Sequence, residues 1–153
     1  MEAFTLHPEL AERSMKHFHY NQPFTLENGQ QLPELTIAYH TYGKLNEEKD
    51  NVVWVCHALT ANADAADWWR GVVGEGCVID PAKYFIVCAN ILGSCYGTTG
   101  PVSEDPARSE PWYHRFPMVT IRDMVKAHIL LRIHLGIRAI HLLMGGSNNS
   151  SSV

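Results

Sequence analysis

The chain has 153 residues, of which 12 are Lys or Arg and 16 are Asp or Glu, so its formal net charge is −4 at pH 7. Apolar residues make up 46% of the chain and charged residues 18%. This composition excludes an intrinsically disordered chain, which combines low hydrophobicity with high net charge. The basic residues also form no stripe of the kind that binds nucleic acid. A length of this order predicts one domain, spanning residues 1–153.

The location of the protein is predicted from its termini and its cysteines. Residues 1–7 lack the basic start and the apolar core of a signal peptide. The most apolar stretch, 129–144, is interrupted by arginines and histidines, so it does not predict a membrane span. No C-x-x-C spacing relates the four cysteines, Cys56, Cys77, Cys88 and Cys95. We therefore expect reduced thiols in a cytoplasmic protein with no membrane partner, a disulfide pair being the alternative.

The first predicted elements are β-strands that follow a loosely structured lead-in over residues 1–16. Two β-type runs, 17–26 and 35–42, flank the dipeptide Asn28-Gly29. Asn-Gly between two such runs is a strong short-range signal for a hairpin. The chain is therefore predicted to open with an antiparallel hairpin.

The rest of the chain alternates buried strands with a helix. Runs 52–56, 84–89 and 139–144 are apolar without alternation, which is typical of strands covered on both faces. Thr120 and Asp123 resemble a capping box at the start of a helix, and Gly136 would end it. Spacings of three and four residues predict one helix face, which consists of Ile121, Met124, His128, Leu131 and Leu135. Together these elements predict an α/β fold with a mostly parallel sheet.

A candidate nucleophile follows the last strand. Gly145-Gly146-Ser147 resembles the start of the G-x-S-x-G turn that presents a catalytic serine, with Asn149 in place of the second glycine. The alternative is an ordinary loop or a flexible tail. A parallel strand needs a crossover, usually helical, before its next neighbour. Because residues 148–153 are Asn- and Ser-rich and form helices weakly, we expect the fold to be incomplete at residue 153.

A second candidate stretch, residues 56–60, follows the first buried strand and reads Cys-His-Ala-Leu-Thr. In α/β hydrolases the loop at this place donates one backbone N–H to the oxyanion hole, and the residue after the nucleophile donates the other. His57 itself is interpreted as a structural histidine, with a catalytic base as the alternative.

Several segments between residues 17 and 147, in order and in register, resemble the homoserine O-acetyltransferase family of the α/β-hydrolase superfamily. They are residues 56–60, 68–69, 80–85, 90–101, 116–125, 134–137 and 145–147. The resemblance implies that the chain is the N-terminal part of an α/β-hydrolase fold. Residues 148–153 are then a divergent tail of a single incomplete domain.

The resemblance also implies a reaction, the transfer of an acetyl group from acetyl-CoA to L-homoserine in methionine biosynthesis. Ser147 would be the nucleophile, and the backbone N–H groups of Leu59 and Asn148 would form the oxyanion hole. Acetyl-CoA is then an acyl-donor substrate, with no bound cofactor and no metal. In this superfamily the acid and the histidine of the triad follow the serine. All nine histidines precede Ser147, so this chain alone is expected to have little or no activity.

Several alternative functions and weaker candidate sites stay open. The same serine turn serves hydrolases and O-acyltransferases with a succinyl donor or another acceptor, and a non-catalytic remnant is a further alternative. A homodimer of the full-length protein is also open. His17 and His19 are a weak candidate for a metal pair, and the alternative is that they lie on a solvated strand face. Trp68-Trp69 is predicted either to line a cofactor channel or to pack in the core. The glycine-rich residues 93–100 predict a tight turn.

Overall fold

A computed structural model of the chain describes residues 15–58 and 61–145. Within them the strands are β1 Lys16–Tyr20, β2 Phe24–Thr25, β3 Gln31–Leu32, β4 Leu35–Tyr42, β5 Val52–Cys56, β6 Phe85–Ala89, β7 Glu104–Asp105, β8 Glu110–Pro111 and β9 Ile140–Gly145. The helices are α1 Ala65–Trp68 and α2 Ile121–His134, with a 3₁₀ turn at Tyr113–Arg115.

Five of these strands form one sheet in the order β1-β4-β6-β5-β9. Strand β5 pairs in parallel with β6 on one side and with β9 on the other. The first four residues of β5 are fully buried, as the absence of alternation predicted. The α/β fold with a mostly parallel sheet is therefore confirmed.

Strand β9 differs from its prediction as a strand covered on both faces. Leu142 is 41% exposed and Leu143 is 64% exposed. The strand lies at one edge of the sheet, and within the described residues its apolar side chains find too few neighbours to bury them.

The predicted antiparallel hairpin is confirmed at the Asn-Gly turn, where it joins two strands shorter than predicted. Strands β2 and β3 pair with Phe24 opposite Leu32, and Gly29 takes the left-handed φ of +84° that the turn requires. The predicted second run, 35–42, is β4, and its neighbour in the five-stranded sheet is β1, which lies at the start of the predicted first run. The two runs therefore do pair, but the Asn-Gly turn itself joins the short strands β2 and β3. Pro33 follows β3 and has no N–H to donate, so the short ladder stops there.

The described residues form two compact units. One consists of residues 15–16, 40–58, 61–88 and 138–145, and the other of residues 17–39 and 89–137. In the first unit the buried side chains around β5 and β6 form one apolar cluster, which consists of Tyr42, Val53, Val55, Ala63, Ala65, Val73, Ile79, Ile86 and Cys88.

Helix α2, in the second unit, begins with the predicted capping box. The Thr120 hydroxyl accepts from the Asp123 N–H at 3.2 Å, and the Asp123 carboxylate accepts from the Thr120 N–H at 3.0 Å. Gly136 follows the helix with a φ of +69°, as expected of a helix end.

The buried face of α2 agrees with the predicted one in part. It consists of Asp123, Ala127 and Leu131, whereas Ile121 is 78% exposed. The reason is that the Asp123 carboxylate also accepts from the Glu27 N–H at 2.8 Å and is held inside by these bonds. Of the predicted face, Leu131 is buried and Met124, His128 and Leu135 are partly buried.

Replacing Asp123 with alanine is expected to lower the free energy of unfolding by about 2–3 kcal/mol, because the N–H groups of Thr120 and Glu27 lose their acceptor in a buried site. Burial by itself would raise the pKa of Asp123, but the Thr120 and Glu27 N–H groups outweigh it and hold that pKa below its ordinary value. The stabilisation is therefore present above pH 4 and is lost as the pH falls through the lowered pKa.

Urea unfolding at pH 7 measures this effect, and Asp67→Ala is the matched control. The Asp67 carboxylate is 65% exposed and pairs with Arg70 at 2.8 Å. An exposed pair of this kind contributes about 0–1 kcal/mol. Equal losses for the two variants would contradict the role given to Asp123.

Candidate active site

The three residues predicted to carry the chemistry, Ser147, Leu59 and Asn148, lie outside the described residues. The structure describes the segments that lead up to two of them, namely β5 with the following residues to Ala58, and β9 to Gly145.

These two segments are neighbours at one edge of the sheet. Strands β5 and β9 run in parallel, and Cys56 at the end of β5 is in register with Gly145 at the end of β9. Adjacent strands lie about 4.8 Å apart, and ligands of open α/β sheets bind beyond the carboxyl ends of the strands. The described ends of β5 and β9, which precede Leu59 and Ser147 in the chain, therefore lie side by side.

Gly145 allows a close approach of the two strands at this point. A Cβ atom added to it would lie 3.4 Å from both the Cβ atom and the carbonyl oxygen of Cys56. That spacing is ordinary van der Waals contact, so the two strand ends are adjacent with room for a methyl group between them.

His57 is buried, with 7% of its surface exposed. Its Nδ1 lies 2.7 Å from the carbonyl oxygen of Ala58. A carbonyl oxygen can only accept, so Nδ1 carries the proton and donates. The buried Nε2 has no hydrogen-bond partner among the described residues. This bond to the backbone supports the interpretation of His57 as a structural histidine.

Cys88 lies beside this segment, on β6, opposite Val55. Burial raises the pKa of its thiol to about 12, and the backbone N–H of His57, which donates to the sulfur, opposes that rise only in part. The thiol therefore stays protonated at neutral pH and is not a nucleophile. All four cysteines of the chain are free thiols in the structure, as predicted.

The residues that follow the undescribed pair 59–60 are held by side-chain hydrogen bonds that the sequence analysis missed. Tyr42 of β4 donates its hydroxyl to the Asp64 carboxylate at 2.5 Å, and burial together with this carboxylate raises the pKa of Tyr42. Asn62 accepts from the Asp64 N–H at 2.9 Å. The Asn62-x-Asp64 pattern, typical of turns in which a side chain caps the backbone, was the available signal.

Trp68 and Trp69 support the core-packing alternative rather than the cofactor channel. Their rings stack with centroids 5.2 Å apart, and both pack, partly buried, against the apolar cluster of the first unit. The Trp68 indole N–H donates to the Asn62 carbonyl at 2.9 Å, which fixes the loop after β5 onto this packing.

The weaker candidates do not form sites. His17 and His19 lie exposed along β1 with ring centroids 6.3 Å apart, and the described residues contain no group of three or more metal-ligating side chains. The predicted tight turn at residues 93–100 is present, closed by a bond from the Gly93 N–H to the Thr99 carbonyl at 2.9 Å. No helix in the described part of the chain has the length and apolar character that a membrane crossing needs.

Comparison with curated proteins gives strong matches. The chain is 50% identical over 139 residues to the homoserine O-acetyltransferase of Chlorobium luteolum, 53% identical over 134 residues to that of Chlorobaculum parvum, and 48% identical over 132 residues to that of Trichormus variabilis. These alignments cover 91%, 88% and 86% of this chain but 39%, 38% and 37% of the relatives. The chain thus spans about two fifths of the length of the curated relatives that it matches. No family model matches it.

Comparison with solved structures identifies the fold. A homoserine O-acetyltransferase from Bacillus anthracis matches with a TM-score of 0.81 and 31% identity, over 88% of this chain and 40% of that one. Esterase E22 matches with a TM-score of 0.78 and 28% identity, over 88% and 40%. The acetyl esterase MekB matches with a TM-score of 0.75 and 28% identity, over 91% and 39%. The predicted α/β-hydrolase fold is confirmed.

Proposed function

We propose that the chain belongs to the homoserine O-acetyltransferase family and supplies the nucleophile and the oxyanion hole of an enzyme that acetylates L-homoserine. The observation that carries this proposal is the 50% identity over 91% of the chain to a protein of that name. Acetyl-CoA is the acyl donor, and L-homoserine is the acceptor. The register of Cys56 with Gly145 supports the proposal, because it brings the two predicted segments to one edge of the sheet.

Ser147 acts in two steps under this proposal. Its Oγ attacks the thioester carbonyl, the C–S bond breaks, and coenzyme A leaves as the thiol, which takes up the proton that the serine gives up. The homoserine hydroxyl then attacks the acetyl-serine ester, the bond between the acetyl carbon and Oγ breaks, and the proton of the homoserine hydroxyl passes to Ser147 as O-acetylhomoserine leaves. Splitting the transfer in this way replaces one difficult step with two easier ones. The N–H groups of Leu59 and Asn148 stabilise the negative charge of each tetrahedral intermediate, by about 2.7–4 kcal/mol per donor.

The remaining triad groups are expected to follow Ser147, since that is the chain order of this superfamily. The 153-residue chain by itself is therefore proposed to have little transferase activity. Three statements stay predictions: that residues 1–153 form a single incomplete domain, that residues 148–153 are a divergent tail, and that the full-length protein is a homodimer. A cytoplasmic location is supported by the four free thiols.

Hydrolysis of acetyl esters is the second candidate function. It is favoured by the fold matches to esterase E22 and to the acetyl esterase MekB. The two reactions share the acetyl-serine intermediate and differ in the acceptor, which is water in a hydrolase and the homoserine hydroxyl in a transferase.

Labelled acetyl-CoA tests the proposal on the full-length protein that carries these residues, with the 153-residue chain as a parallel sample. We expect the label to appear in O-acetylhomoserine much faster than it is released as free acetate. If the label is released as free acetate at the same rate with and without homoserine, the result would support the esterase instead. A preference for succinyl-CoA would correct the donor, and the absence of any labelled product from the full-length protein would contradict both functions.

A further inference from the structure

We infer that two copies of the 153-residue chain associate edge to edge through strand β9, so that their two five-stranded sheets become one. The surface lies wholly within the described residues of the first unit. Its use does not depend on the proposed function.

Strand β9 presents an open edge. It is the last strand of the five-stranded sheet, and within the described residues its neighbour is β5 on one side. The register with β5 skips His141, whose ring stacks on Tyr84 with centroids 5.5 Å apart, and continues regularly over residues 142–145. An edge strand carries a row of unpaired N–H and C=O groups along its outer side, and these groups can pair with another chain.

The side chains of this edge do not oppose pairing. Residues 139–146 contain no Lys, Arg, Asp, Glu or Pro, although charged residues and proline are what commonly protect an edge strand. Leu142 and Leu143 are both exposed. Because they are consecutive in a strand, their side chains point to opposite faces of the sheet. A second copy would therefore cover apolar surface on both faces without bringing like charges together.

The other edge strand of the sheet, β1, is protected. Its residues Lys16, His17 and His19 are exposed, and a lysine on an edge opposes pairing because its charge would lose water. The second copy is therefore expected to bind β9 with its own β9. Such a contact is two-fold and antiparallel, and it uses up the open edge of both copies. Association then stops at a dimer.

The size of the contact sets its strength. Residues 142–145 span about 14 Å at about 3.4 Å per residue. A stable interface buries about 800 Å² on each partner, which is more than a strand of this length can cover. We therefore expect a weak dimer, with a dissociation constant between about 1 μM and 1 mM. Since the curated relatives are longer than this chain, a further segment of a longer polypeptide competes for the same edge. The test is therefore made on the 153-residue chain.

Sedimentation velocity at protein concentrations up to about 1 mM should show a reversible equilibrium between monomer and dimer. Leu143→Lys puts a charge on the exposed edge of each copy and is expected to raise the dissociation constant about 10-fold or more. Val78→Lys is the matched control, because Val78 is also exposed, lies in the same unit and gains the same charge. It should keep the wild-type dissociation constant, and thermal melting shows that both variants are folded.

Hydrogen exchange of the wild-type chain gives a readout that needs no variant. The backbone N–H groups of residues 142–145 should exchange more slowly in concentrated than in dilute solution, while those of β1 should not change. A chain that stays monomeric up to about 1 mM, or a dimer that persists in folded Leu143→Lys, would overturn the inference. Slower exchange at another strand instead of β9, or growth beyond a dimer, would overturn it as well.

Discussion

Alanine in place of Ser147 is expected to abolish acetyl transfer in the full-length protein that carries these residues. The serine oxygen is the proposed carrier of the acetyl group, so its removal leaves only substrate binding and the oxyanion donors. Loss of a serine nucleophile that works with a histidine lowers kcat by about a millionfold in a well-studied protease. The measurement is the pre-steady-state burst of free coenzyme A, together with the mass of the protein after exposure to acetyl-CoA.

The serine-rich segment of this chain supplies the matched control. Ser150 lies three residues after Ser147 and has no predicted role, so Ser150→Ala is expected to keep both the burst and the added acetyl mass. Peptide mapping of the wild type should find the acetyl group on Ser147. An acetyl-enzyme that persists in Ser147→Ala, or a label on another residue, would show that the nucleophile has been misassigned.

Much of the fold could be predicted because strands that are buried on both faces have uninterrupted apolar sequences. Val52–Cys56 and Phe85–Ala89 are uninterrupted apolar runs, and both are strands of the parallel sheet. Thr120 and Asp123 are three residues apart, so their capping box is a local pattern that needs no tertiary information. In each case the residues that decide the structure are neighbours in the chain.

The predictions that failed depend on contacts between distant residues. The helix face was drawn from apolar spacing, but Asp123 is buried because it accepts from the N–H of Glu27, which lies 96 residues earlier. The hairpin was predicted between the runs 17–26 and 35–42, and β1 does neighbour β4, but the Asn28-Gly29 turn joins the separate short pair of β2 and β3. A polar side chain held inside by a remote donor leaves no periodic signal in sequence, and neither does a short strand pair inserted between two longer strands.

For the candidate site, too, the local segments could be predicted from sequence and the contacts between distant residues could not. The resemblance of residues 56–60 and 145–147 to the family's motifs identified both segments, but not their adjacency. That adjacency comes from the register of Cys56 with Gly145, 89 positions apart. The bond from the His57 ring to the Ala58 carbonyl joins chain neighbours, yet the burial of that ring comes from the surrounding fold.

Replacing Gly43 with alanine is expected to destabilise the protein more than any other single methyl addition considered. Gly43 directly follows β4 and has a φ of +77°, which side-chain-bearing residues adopt at a cost of about 1–2 kcal/mol. A Cβ atom there would lie 2.2 Å from the Tyr84 carbonyl oxygen and 2.4 Å from that of Pro81. Both obstacles are backbone atoms, so the main chain before β6 would have to move. We expect a loss of about 3–5 kcal/mol in the free energy of unfolding, measured by urea titration.

Gly29→Ala separates the two contributions, because Gly29 has nearly the same φ, +84°, with no atom within 4 Å of an added Cβ. It should lose only the conformational cost of about 1–2 kcal/mol. The difference between the two variants then measures the steric conflict with Pro81 and Tyr84 alone. Gly43 directly follows β4 and Tyr84 directly precedes β6, and these two strands are neighbours in the sheet. The conflict therefore lies where β4 ends and β6 begins. Equal losses for Gly43→Ala and Gly29→Ala would mean that the chain at residues 81–84 yields to the added methyl group, and that the close approach seen at Gly43 contributes nothing to stability.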